Sequence, residues 1–303
     1  MGCWTGGETS MMPRVFLDSA VAVGDKVTVA GDDGHHFARV LRAQPGEQAT
    51  VAAAGTGYLA VVTAVDKQAG SVVLVIQEQL QKRDPRHAVY VVQAMAKADK
   101  VDTVIQKCTE VGAAGVMLYE SERSVARLKK DKIPGKLARW QKVAKEAAVQ
   151  CQRDTIPVIK YASAFSGVLE WVHSMHAPHL LLLDEGESVN GLRSVLNGLH
   201  RESSGLRTEM NGLHSESSER RTRADGASSR SKADAELKPA ANSGETPVVI
   251  VIGPEGGWSD EERSTWVGAN ARAVTLGPRI LRTETAGVAA LTAILYEFGD
   301  LGG

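Results

Sequence analysis

The sequence predicts an α/β protein, with a small β-barrel in its N-terminal part and a mostly parallel sheet flanked by helices beyond it. Short runs of alternating apolar residues dominate up to about residue 81, and strand and helix patterns alternate after residue 88. Near the C-terminus, two apolar β-branched runs each break into a loop of glycine and proline. The length of 303 residues suits two such domains.

The N-terminal part reads as a series of short strands. The runs are VFL, KVTVA, QATVAAA, YLAVVTAV and SVVLVIQE, separated by turns of glycine, aspartate and glutamine. Period-two runs at this spacing predict a small antiparallel barrel, which a helical piece over 33–41 interrupts. The charged stretch 82–87 contains a helix-breaking proline, so the barrel domain is predicted to span 13–84. Residues 1–12 are predicted to be a loose tail.

The second domain, predicted over 88–303, opens with the buried strand AVYVVQA. Apolar residues then recur at helical spacing up to Gly112, which predicts a helix that this glycine ends. Cys108 lies on the apolar face of that helix, so we predict a core residue rather than a nucleophile. The strand patterns GVMLY and HLLLLDE alternate with helix patterns at 134–152 and 165–173, which predicts a mostly parallel sheet.

A segment over 190–246 interrupts this alternation. Four tandem seven-residue copies begin at 190, 197, 204 and 211, and each has a glycine beside its one regular leucine. Glycine weakens a helix, and a single regularly repeated leucine per copy leaves no coiled-coil seam. The remainder of the segment is polar and has no aromatic residue. We therefore predict a disordered insert between two strands of the same sheet.

Composition argues against several classes of protein. The longest dense apolar stretch, 286–295, is too short to cross a bilayer, so no membrane contact is predicted. The three cysteines form no C-x-x-C pair and the histidines are scattered apart from His35 and His36, so no metal site is predicted. An odd thiol count fits a reducing compartment, with the cytoplasm as first choice and a mitochondrion or plastid as second. The net charge of −1 confines any nucleic-acid surface to local basic patches.

The two C-terminal loops carry the strongest signal of function. They are VVIVIGPEGGWSDEE at 248–262 and VTLGPRILRTETAG at 274–287. Their glycines remove side chains, so backbone amides can approach a flat or charged ligand. Ser259, with Glu262 three residues later, predicts a capping box that fixes the next helix. Neither a P-loop nor G-x-G-x-x-G fits, and we predict one shared small-molecule pocket, with a tight turn that binds no ligand as the alternative.

GPEGG and, further along, LGPRILRTET resemble the C-terminal signature of the ribosomal RNA small subunit methyltransferase E family, within the knotted SPOUT methyltransferases. Further similarity lies at 93–97, in IQKCTEVG, in SERS at 121–124 and in RWQKVAKEA at 139–147. The resemblance implies a PUA-like RNA-binding barrel, a SPOUT domain with a trefoil knot, and a homodimer. It also implies transfer of a methyl group from S-adenosylmethionine to N3 of a uridine in small-subunit ribosomal RNA.

This chemistry assigns roles within the two loops. Uridine N3 carries a proton between two carbonyls, so the enzyme must favour the anion or accept the proton. Arg282 and Glu284 supply these two charges and are predicted to be catalytic, with a structural ion pair as the alternative. Asp184 and Glu185, at the end of a strand, are candidates for a ribose contact, with a solvated strand end as the alternative. The predicted cofactor-binding residues are Leu183, Ile252, Gly253, Pro254, Glu255, Gly256, Gly257, Leu276, Gly277, Ile280, Leu281 and Thr285.

Basic residues in both domains predict RNA contacts, because the forked donors of arginine suit phosphate. The alternative for each group is a solvated charged surface. The family resemblance favours RNA, as ribosomal RNA itself or as the assembled small subunit. The predicted RNA-binding residues are Arg14, His36, Arg39, Arg42, Arg123, Arg139, Lys142 and Arg153.

Two rival functions stay open on the sequence alone. Val149 stands where the family usually has a glutamate, which supports a non-enzymatic RNA-binding protein whose pocket has decayed. The second rival is an ordinary Rossmann-type methyltransferase or dehydrogenase. Those folds place the glycine loop after the first strand, whereas here it comes near the end.

Overall fold

The computed structural model describes residues 12–124, 126–199 and 246–302. The chain divides into two compact units. One contains the residues up to Asp84 together with Lys145–Ile156, and the other contains Pro85–Ala144 together with the residues from Pro157 onward. The sequence patterns place 145–156 in the second domain, but the structure packs this segment into the first unit.

A five-stranded sheet forms the frame of the first unit. Its strands are β1 (Arg14–Leu17), β2 (Lys26–Val29), β3 (Gln48–Ala53), β4 (Thr56–Asp66) and β5 (Ser71–Gln79). Their order is β1-β3-β4-β5-β2, and irregular pairing between β4 and β5 bends the sheet around a core that includes Phe37, Val51 and Leu74. The five predicted strands are confirmed. The expected all-antiparallel arrangement is wrong at one edge, because β1 pairs with β3 in parallel.

The helical piece predicted over 33–41 is present as α1 (Gly31–His35), which continues into a π-helical turn at His36–Val40. Helix α1 follows β2 directly and packs closely on it. A Cβ atom at Gly34 would lie 2.5 Å from the carbonyl oxygen of Val29, so only glycine fits there.

The second unit contains a six-stranded sheet in which every pairing is parallel. Its order is β11-β9-β10-β6-β7-β8. Such a sheet is covered on both faces, which is why strands such as VVIVI and HLLLL read as continuous apolar runs. The predicted parallel sheet is confirmed. The strands are β6 (Val89–Ala94), β7 (Gly115–Tyr119), β8 (Val158–Ala162), β9 (His179–Leu183), β10 (Val248–Ile252) and β11 (Arg272–Val274).

Six α-helices of the described ranges lie between or after these strands. Among them, α4 and α6 share one core cluster with Val249 and Val251, whereas α7 packs on β6, β10 and α2. Gly112 ends α2 with a φ of 121°, and Cys108 on that helix is buried, which raises its pKa to about 12. The core position predicted for Cys108 is therefore confirmed. The helices are α2 (Ala98–Val111), α3 (Ile133–Gln150), α4 (Phe165–His173), α5 (192–199), α6 (Asp260–Gly268) and α7 (Thr283–Glu297).

The structure differs from prediction at the start of the insert. Helix α5 buries Leu192, Leu196 and Leu199, which are spaced as on one helix face. The segment predicted to be disordered over 190–246 therefore does not begin at residue 190. Its part over 200–245 lies outside the described residues. Within the described ranges, no helix is both long and apolar enough to span a membrane.

Candidate active site

The carboxyl ends of four parallel strands meet at one edge of the six-stranded sheet. Ile252, the last residue of β10, is level with Leu183 at the end of β9 and with Gln93 near the end of β6. Val274, which ends β11, is also level with Leu183. The loops that follow these strands surround a cavity of about 730 Å³. This edge is where open α/β sheets bind ligands.

Both predicted glycine loops contribute to the cavity. All the predicted cofactor-binding residues line it except Gly256 and Thr285. Gly256 instead packs against the side chain of Arg123, and Thr285 is exposed on the first turn of α7. Ile280 lines the cavity with a side chain that is 83% exposed, so it stands at the solvent side of the site.

The first glycine loop, 253–259, is held closely against β9. The indole Nε1 of Trp258 donates a hydrogen bond to the carbonyl oxygen of Leu183 at 2.8 Å. A Cβ atom at Gly253 would lie 3.1 Å from the Trp258 ring, so a glycine lets the indole cover the loop. Gly257 has a φ of 68°, and a Cβ atom there would also lie 3.3 Å from Oε1 of Glu185. These two glycines keep the loop close to the end of the sheet.

A chain of buried hydrogen bonds joins the two loops to β6. Nε2 of Gln93 donates to the hydroxyl of Thr283 at 2.7 Å, and that hydroxyl donates to the carbonyl oxygen of Gly253 at 2.7 Å. Gln93 is fully buried. Because Thr283 opens α7, this chain sets the position of the helix start relative to the glycine loop.

The capping box predicted at the start of α6 is confirmed. The Ser259 hydroxyl accepts from the backbone N–H of Glu262, and the Glu262 carboxylate accepts from the backbone N–H of Ser259. Oε1 of Glu262 also accepts from the backbone N–H of Glu122 at 2.8 Å. The Arg123 guanidinium donates to the carbonyl oxygen of Gly256 at 3.2 Å. The loop after β7 therefore braces the glycine loop from outside the cavity.

Three carboxylates follow β9, and the structure separates their roles. Asp184 is buried and accepts from the backbone N–H of Gly186 at 2.9 Å and from the Arg263 guanidinium at 2.5 Å. Glu187 accepts from the backbone N–H groups of Val189 and Asn190, which hold its pKa below the ordinary value. Glu185 is exposed and lines the cavity. Asp184 is thus engaged within the protein, which leaves Glu185 as the more available carboxylate of the two predicted for a ribose contact.

Arg282 and Glu284 lie together at the start of α7, but of the two only Glu284 forms an ion pair among the described residues. Nζ of Lys100 lies 3.2 Å from Oε2 of Glu284 and 3.4 Å from Oε1 of Glu255. Burial raises the pKa of Glu284, but its own backbone N–H and Lys100 outweigh burial, so the pKa is lowered overall. Arg282 is exposed and lines the cavity, and its side chain makes no hydrogen bond or ion pair within the described ranges.

Two of the residues predicted to bind RNA are buried, so that prediction is wrong for them. The side chain of Arg14 is 0% exposed and pairs with Asp154 at 2.5 Å. Arg153 is also buried and pairs with Asp84 at 2.7 Å. A burial-driven loss of solvation lowers the pKa of Arg14, and Asp154 partly offsets it. Neither guanidinium can reach a phosphate in this arrangement. Both ion pairs instead hold 145–156 against the rest of the first unit.

The other predicted RNA-binding residues lie on the surface. His36, Arg39 and Arg42 are exposed on or beside the π-helical turn of the first unit. Arg39 uses part of its guanidinium to hold the carbonyl oxygens of the β4–β5 turn, at 2.9 and 3.1 Å. In the second unit, Arg139 pairs with Asp102, and Arg123 and Lys142 are exposed.

Sequence reasoning missed Lys100 and Trp258, which both line the cavity. Trp258 follows the GPEGG motif directly, and its position beside a glycine loop was a usable signal. Lys100 lies in the first turn of α2, far from either loop in the sequence. Only the parallel order of the strands brings it to the same edge.

Comparison with known protein families identifies the class of protein to which this chain belongs. The model described as the RNA methyltransferase domain matches residues 82–206 and 209–295, and the model described as the RNA methyltransferase PUA domain matches residues 29–75. The chain therefore belongs to this family of RNA methyltransferases.

Individual relatives agree with this family. The chain is similar to the ribosomal RNA small subunit methyltransferase E of Bacillus subtilis, with 29% identity over 293 residues that cover 94% of this chain and 97% of that protein. The Mycobacterium bovis protein of the same name is 29% identical over 279 residues, which cover 92% of this chain and 89% of that protein. The crystal structure of the Neisseria gonorrhoeae protein of that name, bound to S-adenosyl methionine, is 24% identical with a TM-score of 0.64. That alignment covers 94% of this chain and 97% of the other, and it shows the same fold.

Proposed function

We propose that this chain transfers the methyl group of S-adenosylmethionine to N3 of a uridine in small-subunit ribosomal RNA. One observation carries the proposal: Arg282 lines a cavity between two glycine loops, and its side chain makes no hydrogen bond or ion pair among the described residues. The family model and the names of the relatives support ribosomal RNA as the substrate.

The residues around the cavity fit this cofactor. A volume of about 730 Å³ lies within the range of roughly 300–1,000 Å³ that is usual for small-molecule sites. The side chains of Leu183, Ile252 and Leu281 supply apolar surface for an adenine ring. At Gly257 the φ of 68° would be strained for any residue with a side chain, and a Cβ atom would lie 3.3 Å from Oε1 of Glu185. A glycine at this position therefore leaves space in the loop. The exposed Glu185 carboxylate suits the hydroxyl groups of a ribose.

The proposed reaction requires alignment of the methyl group with the acceptor nitrogen and stabilisation of the charge on the uridine. It does not require a covalent nucleophile. When bound, the cofactor supplies a methyl group on a positively charged sulfur. The protein must hold the acceptor nitrogen in line and stabilise the charge that develops at the uridine. We propose that Arg282 performs the second task. Its backbone carbonyl accepts from the N–H groups of Thr285 and Ala286 at 2.8 and 2.9 Å. These bonds fix its backbone and leave its side chain to stabilise the N3 anion.

The structure favours a holding role for Glu284 over the predicted role of proton acceptor. Its carboxylate pairs with Lys100 and is not part of the cavity wall. Its lowered pKa also makes it a weaker base than an ordinary glutamate. We propose that Arg282 promotes loss of the N3 proton to water, whereas Glu284 positions Lys100. The trefoil knot and the homodimer implied by the family resemblance, and the cytoplasmic location favoured by the cysteine count, stay predictions.

The test is a methylation assay with small-subunit ribosomal RNA, and with assembled small subunits, from cells that lack this gene. After incubation with protein and S-adenosylmethionine, the RNA is digested and its nucleosides are separated by mass spectrometry. We expect N3-methyluridine with the natural chain and almost none with Arg282→Ala. A methyl group on a ribose or on carbon 5 would contradict the proposed chemistry. Cofactor binding without any methylation would favour the decayed RNA-binding alternative.

A further inference from the structure

Lys100 ties together two carboxylates that come from separate elements of the second unit. Glu255 lies in the first glycine loop, and Glu284 lies in the first turn of α7. The ammonium Nζ lies 3.4 Å from the first carboxylate and 3.2 Å from the second. All three side chains are largely shielded, with exposures of 24% for Lys100, 30% for Glu255 and 19% for Glu284. Such partly buried charges interact more strongly than charges in free solution.

These charges stand beside a cavity whose wall is rich in carboxylates. Lys100, Asp184, Glu185, Glu187 and Glu255 all line it. Asp184 is neutralised by Arg263, and the Glu187 carboxylate is held by backbone N–H groups. Lys100 pairs with both Glu255 and Glu284, and Arg282 adds positive charge near Glu284. Hydrogen bonding to Glu284 raises the pKa of Lys100, so this ammonium remains charged at neutral pH.

The proposed reaction changes the charge of the bound molecule. S-adenosylmethionine carries a positive sulfonium, and its product S-adenosylhomocysteine carries a neutral thioether of nearly the same shape. The net charge around the cavity therefore decides how strongly the site prefers one over the other. This reasoning rests on the proposed function, because it requires the cavity to hold this cofactor.

We propose that Lys100 sets the preference of the site between S-adenosylmethionine and S-adenosylhomocysteine by neutralising Glu255 and Glu284. Without its ammonium, the Glu255 carboxylate on the cavity wall and the nearby Glu284 carboxylate lose this cation, and their negative charge favours the cationic molecule. Such a site holds the substrate form more tightly but opposes the reaction, because the positive charge on sulfur disappears as the methyl group leaves. Lys100 acts through these carboxylates and is a positioning residue in the proposed reaction.

The test is calorimetric binding of both molecules to the full chain, and it does not depend on turnover. We expect Lys100→Gln to raise the ratio of the Kd for S-adenosylhomocysteine to that for S-adenosylmethionine on the order of tenfold. That is the effect of one unit charge at roughly 10 Å with an effective dielectric constant of about 25. Lys100→Arg, which keeps the charge, should restore the natural ratio. A merely structural ion pair would change both Kd values together and leave the ratio unaltered.

Lys107→Gln is the matched control. Lys107 lies on the same helix but points to Glu110, at 2.8 Å, and is not part of the cavity wall. The Lys107→Gln substitution removes the same charge from the chain, and the ratio of the two Kd values should not change. Glu255→Gln tests the opposite direction, because it removes a negative charge and should lower the ratio. This second variant keeps the inference testable if Lys100→Gln fails to fold by circular dichroism.

The outcomes separate the inference from the proposed function. A natural chain that binds neither molecule overturns both. Binding of both molecules with unchanged ratios in Lys100→Gln and Glu255→Gln overturns the role of Lys100 alone. Failure of Lys100→Arg to restore the ratio also overturns it, since the effect would then come from shape rather than from charge.

Discussion

The hydroxyl of Thr283 lies 2.7 Å from the carbonyl oxygen of Gly253 and donates a hydrogen bond to it. The same hydroxyl accepts from the buried amide of Gln93, also at 2.7 Å. One side chain thus connects the end of β6, the first glycine loop and the start of α7. The separation of the two loops around the cavity depends on this connection.

Thr283→Val should destabilise the protein and weaken cofactor binding. The substitution keeps the shape but leaves the Gly253 carbonyl without its Thr283 donor and the buried Gln93 amide with only its bond to the carbonyl oxygen of Ala94, which costs about 1–3 kcal/mol. Urea unfolding gives the free-energy change, and calorimetry with S-adenosylmethionine gives the affinity. The control is Thr292→Val on the same helix, whose hydroxyl donates only to the carbonyl of Val288 one turn away, at 2.8 Å. Equal behaviour of the two variants would show that the Thr283 bond does not hold the loops.

Gly257→Val should abolish cofactor binding before any chemistry. Its φ of 68° is strained for a side chain, at a cost of about 1–3 kcal/mol, and the new atoms would enter the cavity beside Glu185. Gly268→Val serves as control, because a Cβ atom there has nothing within 4 Å. Calorimetry and circular dichroism check binding and folding. If the Gly257→Val protein folds and binds the cofactor normally, this glycine is not required for cofactor binding.

Arg282→Ala should bind S-adenosylmethionine almost normally yet lose on the order of a hundredfold or more in turnover. That is the scale observed when one preorganised charge-stabilising donor is removed. Single-turnover methylation beside calorimetry separates the two effects. Arg193→Ala, which removes an exposed arginine from α5 outside the cavity wall, should retain the natural rate. A loss of rate only in proportion to cofactor affinity would mean that Arg282 braces the loop.

Arg14 and Arg42 should respond in opposite ways to the same change. Arg14→Gln leaves the buried Asp154 carboxylate without its partner and should cost about 3–5 kcal/mol of stability. Arg42→Gln should leave stability nearly unchanged, weaken RNA binding and reduce the slope of log K against log salt concentration by roughly one. Thermal unfolding and RNA titrations over a salt series measure both. An unchanged salt slope would show that Arg42 does not contact RNA and is only a solvated surface residue.

Replacing residues 200–245 with a short Gly-Ser linker should leave the thermal midpoint and cofactor affinity nearly unchanged. This segment is polar, and closing a loop of different length costs little. Leu196→Ala is the contrast, because it removes a buried side chain from α5 and should cost about 2–5 kcal/mol. Differential scanning calorimetry compares the two. Loss of folding in the linker variant would show that the segment contributes to the core.

The sequence predicts features whose causes are local. The continuous apolar runs of the buried strands indicate a parallel sheet, and Ser259 with Glu262 predicts the observed capping box, because both patterns arise within a few residues. Glycine-rich breaks after two of these strands predict the loops that line the cavity. The resemblance to a known family supplied the chemistry that these patterns leave open.

Other features depend on contacts between distant positions. Strand alternation assigns Arg14 to one face of the sheet, but it cannot show that a segment 140 positions later covers that face. Likewise, Lys100 reaches the cavity because β6 and β10 are neighbours in the sheet, and no local pattern contains that order. The same limit applies to Glu284. The sequence predicts a proton acceptor there, but the ion pair with Lys100 depends on a contact between distant positions.

The pairing of Arg14 with Asp154 determines when the first unit can finish folding during synthesis. While a ribosome synthesises this chain, the five strands of the first sheet emerge well before the carboxylate that belongs to Arg14. At about 5–20 residues per second, the roughly 75 residues between the end of β5 and Asp154 take about 4–15 s. Until then this guanidinium must remain hydrated, so the first unit closes only when half of the polypeptide exists. A gene fragment that stops at residue 84 would encode all five strands and still lack the acid that completes their fold.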